Sequence, residues 1–129
     1  MCDDHPLYGR DALTYIGKAV KQVLSVRVKQ HEWWANKVYV ASVFKFENWE
    51  KSQNWTYKIA IKDDDIISKI EELLIYSLSP AYNQRNKRTA KNSQQIRIFN
   101  TGQHGVLPTE ISGMYNIEHI PEPDIKDEE

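Results

Sequence analysis

The chain has 129 residues, enough for one domain with a real core and little room for a second. Its hydrophobic fraction of 40% contains no apolar run near the roughly 20 residues a membrane helix needs, and Cys2 alone excludes an internal disulfide or a cysteine zinc cluster. The net charge of −1 hides a segregation: residues 118–129 hold six acids and one lysine, which leaves +4 on residues 1–117.

Residues 12–16 read as a short strand closed by Gly17. Across residues 20–34, Val20, Val23, Leu24, Arg27, Val28 and His31 recur every three to four positions, the spacing of a helix. Residues 38–46 are rich in β-branched and aromatic side chains on both faces, a strand covered on one side and partly on the other. Residues 55–61 alternate well enough to be its neighbour, with residues 47–54 as the connection. Asp63, Asp64 and Asp65 supply a helix start, since Asp accepts orphan backbone N–H groups and opposes the dipole. Ile66, Ile70, Leu73, Leu74 and Ser77 continue a second amphipathic helix, which Pro80 ends.

After Asn83 the pattern weakens. Residues 95–99 read as another strand, Gly102, Gly105 and Pro108 break the chain, and residues 111–117 add a short edge or packing segment. The order strand, helix, strand, strand, helix with an irregular C-terminal extension gives a small α+β domain over residues 1–117. Residues 118–129 read as an acidic, flexible tail. The opening residues lack the basic-then-apolar layout of a secretory signal. With a lone cysteine, this makes the cytoplasm the expected location and a membrane an unexpected partner.

Several side chains suit chemistry at a phosphate. Arg27 and His31 lie four apart and project from one helix side. The fixed donor fork of Arg27 matches phosphate oxygens and offsets transition-state charge, while His31 can bind phosphate or orient water. The plain alternative makes both ordinary surface residues. Tyr15 ends a strand, Gly17 permits a close turn, and Lys18 follows. A tyrosine with a reference pKa near 10 needs help to act as a base, which Lys18 or metal-bound water can supply. Equally, Tyr15 is a good strand residue that needs no chemistry. Glu71 sits on the wetter edge of the second helix, where one carboxylate with waters is enough to hold Mg²⁺. Asn83 can brace Glu71 or the helix end, or simply form a turn. Arg85, Lys87, Arg88, Lys91 and Arg97 form a block without acids that can line a nucleic-acid backbone by releasing counterions, or merely keep a loop solvated.

Taken together, these residues resemble the GIY-YIG nuclease superfamily, in style closest to its type II restriction endonucleases. Tyr15, Ile16, Gly17, Lys18 and Ala19 look like the second half of the name motif. Arg27 and His31 match the family's Arg-x-x-x-His helix. Glu71 and its helix, running to Pro80, Ala81, Tyr82 and Asn83, resemble the metal-binding glutamate helix and terminal asparagine. The resemblance covers roughly residues 5–99. It implies a small antiparallel sheet flanked by helices, and hydrolysis of a DNA phosphodiester with one Mg²⁺, for which Mn²⁺ can substitute. Glu71 is then the metal ligand, Tyr15 the general base and Arg27 the phosphate stabiliser, with Lys18 and His31 in support. Tyr39 corresponds to a further aromatic or histidine position.

The Gly-Ile-Tyr half of the motif is absent, so the resemblance implies that the first strand is missing. Residues 4–9 then read as the loop between the halves, with Tyr8 as a chemical substitute for the lost tyrosine. An unpaired edge would invite a homodimer. The leading expectation is therefore a Mg²⁺-dependent DNA endonuclease of restriction or mobile-element type. The alternatives are a truncated, inactive relative that binds nucleic acid or protein, and a structural adaptor whose aromatics build only a core and interface.

Overall fold

The computed structural model describes residues 1–31, 35–46 and 58–116. Strand β1 (Cys2–His5) and β2 (Gly9–Leu13) form an antiparallel hairpin, with Cys2 opposite Leu13 and Asp3 opposite Ala12. An opening strand is therefore present, which corrects the expectation that it is missing. Its sequence hides it, because Asp3 and Asp4 are poor strand formers. The turn supplies what propensity lacks: Gly9 takes φ 88, and His5 Nδ1 accepts N–H bonds from Leu7 at 3.1 Å and Tyr8 at 3.3 Å. The edge of β1 is also occupied at Cys2, where Lys37 forms a bridge and donates its N–H to the Cys2 carbonyl at 3.1 Å. The argument for dimerisation through a vacant edge loses its basis at that position.

Strand β2 ends at Leu13, earlier than residues 12–16 suggested, so Tyr15 lies beyond it. Helix α1 (Leu24–Lys29) is also shorter than the periodicity implied. Its first turn follows Val23, which offers no side-chain cap, and β-branched valines at 26 and 28 add little helix propensity. Residues 32–34, at the end of the expected helix, lie outside the described residues. Strand β3 (Phe44–Phe46) pairs antiparallel with β4 (Lys58–Ala60), so the strand expected over residues 38–46 starts later than 38, while the start of the one expected over 55–61 lies outside the described residues. The connection at 47–54 is likewise not described.

Helix α2 (Asp64–Leu78) follows the sequence rules closely. The Asp63 side chain accepts from the N–H groups of Asp65 at 2.8 Å and Ile66 at 3.4 Å, while Asp64 and Asp65 oppose the dipole. At the other end Ser79 adopts φ 43 and Pro80 forbids another turn. Strands β5 (Arg97–Phe99) and β6 (Glu110–Ser112) form a third antiparallel pair, so the anticipated C-terminal strand has a partner.

The core gathers where α2 meets this pair. Leu73, Ala90 and Ile111 are buried together, with Leu74, Tyr76, Ile96 and Ile98 packed against them. Burying a leucine such as Leu73 contributes about 1.5–3 kcal/mol. A 3₁₀ turn (Lys91–Ser93) is tied to α2 by the Ser93 hydroxyl, which donates to the Lys69 carbonyl at 2.7 Å. Gly113 donates its N–H to the Ile96 carbonyl at 2.8 Å and lies so close to the Ser93 carbonyl that any side chain would collide. The described chain is thus a small α+β protein built on antiparallel pairs. None of its helices is long and apolar enough to cross a membrane. The acidic residues 118–129 fall outside the described residues.

Candidate active site

The Tyr15 segment is held on two sides by hydrogen bonds that secondary-structure patterns do not reveal. On one side the N–H of Thr14 donates to the Met1 carbonyl at 2.9 Å. On the other, Ala81 donates to Leu13 at 3.2 Å and Tyr82 donates to Thr14 at 2.8 Å. Asn83 completes this second seam with its side chain: Oδ1 accepts from the Ile16 N–H and Nδ2 donates to the Ile16 carbonyl, each at 2.9 Å. The carboxamide imitates a strand peptide. It therefore braces the Tyr15–Gly17 turn rather than Glu71 or the helix end.

Gly17 serves a different purpose from a φ-driven turn. A Cβ there would lie 2.6 Å from Cε1 of Tyr15, so the missing side chain makes room for the phenol ring. His31 stacks on the same ring, with centroids 4.7 Å apart and planes 16° from parallel. Its Nδ1 lies 3.2 Å from the Arg27 carbonyl. Because a carbonyl can only accept, that bond exists when Nδ1 carries the proton. Arg27 Nη2 then donates to the Tyr15 hydroxyl oxygen at 3.0 Å. The Arg27 and His31 pair expected on one helix side thus clasps Tyr15 from two directions.

Across the gap, Glu71 forms an ion pair with Lys18 at 3.2 Å. Lys18 also donates to the Ser68 hydroxyl at 2.5 Å. The carboxylate is only 18% exposed, so solvent screens the pair less than it would at the surface. Tyr15, Lys18, Arg27, Glu71 and Asn83 all line one open cleft of about 1020 Å³, together with Tyr82, Arg85, Ser68 and Asp64. Asp64, Ser68 and Glu71 share one face of α2 at intervals of four and three. That spacing is visible in the sequence and could have added the first two residues.

The basic block divides. Arg85 lines the cleft. Lys87 turns back to donate to the Ala81 carbonyl at 3.5 Å, and Arg97 pairs with Glu110 at 2.9 Å across β5 and β6. Arg88 and Lys91 are exposed outside the cleft lining. Tyr8 is also outside it, its ring 4.8 Å from that of His5 and tilted by 38°, so it does not stand in for a second cleft tyrosine. Tyr39 instead covers Gly105, where a Cβ would meet its ring at 2.8 Å.

Arg27 Nε is buried and has no hydrogen-bond partner among the described residues, leaving a strong donor beside the cleft. No group of three His, Cys, Asp or Glu among the described residues is arranged to hold a metal. The donor chemistry still fits Mg²⁺, because this hard ion binds through one or two carboxylates and keeps several waters. Glu71 would hold it, in competition with the Lys18 ammonium.

Searches against family models, curated proteins and solved structures return no match for this chain.

Proposed function

We propose that the chain is a divalent-metal-dependent DNA endonuclease of GIY-YIG type, hydrolysing one phosphodiester by direct attack of water. The supporting observation is the meeting of Tyr15, Arg27 and Glu71, from three separate parts of the chain, in one cleft. Their types suit this chemistry: a proton acceptor, a rigid cationic donor and a carboxylate.

In this reading the scissile phosphate enters the cleft between Arg27 and Glu71. Arg27 and Arg85, which both line the cleft, attract its oxygens. The Tyr15 oxygen, acting as phenolate, takes the proton of the attacking water and becomes the neutral phenol, and the Arg27 N–H aimed at that oxygen holds the phenolate until the proton is transferred. One P–O bond forms with water, the opposite P–O bond breaks, and the departing oxygen takes a proton from solvent or Lys18. His31 acts by holding the phenol plane. A Mg²⁺ or Mn²⁺ ion on Glu71 would supply Lewis-acid stabilisation of phosphate charge. Cutting both strands with one site per chain would most simply use two chains.

The test is Glu71→Gln, which keeps shape and removes charge. Duplex binding is expected to persist while Mg²⁺- and Mn²⁺-dependent nicking disappears. Wild-type protein that binds DNA but never nicks it with either ion would exclude the enzyme.

The Lys18–Glu71 ion pair supports a second reading, a relative that binds nucleic acid or protein without cutting. A lysine can neutralise a carboxylate that no longer meets a metal. Saturable binding of Mn²⁺ that Glu71→Gln abolishes would exclude it.

A further inference from the structure

The cleft continues beyond its charged centre. Tyr82 lines it and remains 43% exposed. Its ring lies 5.8 Å from that of His5, and His5 lies 4.8 Å from Tyr8. The three rings make a row from the cleft to the tip of the β1–β2 hairpin, where Tyr8 is 65% exposed and Leu7 86%. Scattered exposed apolar residues are ordinary, whereas a continuous row joined to a charged cleft suggests a binding surface. The tip is also organised in advance. His5 Nδ1 holds the N–H groups of Leu7 and Tyr8, and Pro6 restricts its own φ.

We propose that this row stacks unpaired bases, so that the site takes DNA with a forked or single-stranded segment beside the bound phosphate. This rests on the nuclease reading of the cleft and adds the form of its substrate. Charge narrows the occupant. The hairpin carries Asp3, Asp4 and Asp11 against the one cation Arg10, and Asp11 pairs with Lys37 at 2.5 Å. Such a hairpin disfavours a phosphate track but accepts the uncharged face of a base. Arg85 lies in the cleft, on the side where the phosphate would sit. Aromatic platforms beside cations are the combination that binds single strands, and each stacked base contributes roughly 1–3 kcal/mol.

The test uses the full chain carrying Glu71→Gln, without divalent metal, and two labelled DNAs. One is a blunt duplex, and the other is the same duplex with a single-stranded arm bearing 2-aminopurine at the junction. The forked DNA is expected to bind about tenfold more tightly, with its 2-aminopurine emission quenched. Tyr8→Ala and Tyr82→Ala should each remove most of that preference and quenching, whereas Tyr8→Phe and Tyr82→Phe should keep both. Equal affinity for the two DNAs, or alanine variants that still quench, would overturn the proposal. So would a Tyr8→Ala effect confined to self-association in sedimentation. Wild-type cleavage with Mg²⁺ is scored separately. Intact stacking without cleavage removes the nuclease reading alone, and cleavage without fork preference removes the base row alone.

Discussion

Asn83 grips both polar atoms of the Ile16 peptide at 2.9 Å, and only one orientation of its carboxamide satisfies the two bonds. Ile16 stands between Tyr15 and Gly17, so this grip sets the direction in which the phenol leaves the chain. Asn83 is 9% exposed, and truncation would strand the partly buried N–H and carbonyl of Ile16. Asn83→Ala should cost about 1–3 kcal/mol in urea unfolding. On the nuclease proposal, cleavage rate should fall more than DNA affinity, since Arg85 still lines the cleft. Asn83→Asp keeps the acceptor but loses the donor and should lie between. A stability loss with unchanged turnover would make Asn83 a brace for the fold and nothing more.

Gly17 yields its space to Tyr15. In Gly17→Ala the new methyl would meet the ring at 2.6 Å, which requires the ring to move away from Arg27 and His31. Cleavage should drop at least tenfold while the melting temperature changes little, because neither residue belongs to the buried cluster around Leu73. Combining Gly17→Ala with Tyr15→Phe should add almost nothing to Tyr15→Phe alone, as expected of residues acting through one contact. Additive losses in that double-mutant cycle would dismiss the coupling.

Arg85 and Arg97 should behave differently towards salt. Arg97 is already paired with Glu110, both about half exposed, while Arg85 faces the cleft. Arg85→Ala should reduce the slope of log K against log salt by about one for duplex DNA. Arg97→Ala should leave the slope nearly unchanged and cost less than about 1 kcal/mol in stability, given the exposure of its ion pair. An Arg85→Ala slope equal to that of the wild type would mean that Arg85 touches no phosphate.

Cys2 is 1% exposed, and burial pushes its thiol above the ordinary value of 9.0. The folded chain therefore keeps a proton that the unfolded chain releases as pH passes that value. Stability from this group is complete below the ordinary value and declines as pH rises towards the folded one. Wild-type urea midpoints should fall between pH 8 and pH 10 more steeply than those of Cys2→Ala. In native protein the thiol should react with a disulfide reagent far more slowly than in urea. Matching pH profiles would show that the thiol is not the source.

How far local rules reach is clearest in α2. Asp63 at its start, the apolar spacing through Leu73 and Leu74, and Pro80 after its end are all visible in the sequence, and the helix occupies Asp64–Leu78. Arg27 and Glu71 were also recognisable as polar residues placed on helices, whereas His31, expected on the first helix, lies in the turn just beyond α1. Strand β1 was not, because Asp3 and Asp4 oppose strand formation, and closure of the hairpin outweighs that preference. The grip of Asn83 on Ile16 was equally hidden, since a side chain that mimics a peptide leaves no periodicity.

The sequence by itself determined the composition of a small α+β protein, the second helix and the types of side chain available for chemistry. Tertiary structure alone decided that Tyr15, Arg27 and Glu71 share a cleft, that Lys18 meets Glu71, and that Arg97 turns to Glu110. The physical reason is range. Propensity, capping and periodicity act over a few residues, whereas these meetings depend on hydrogen bonds and packing between segments far apart in the chain.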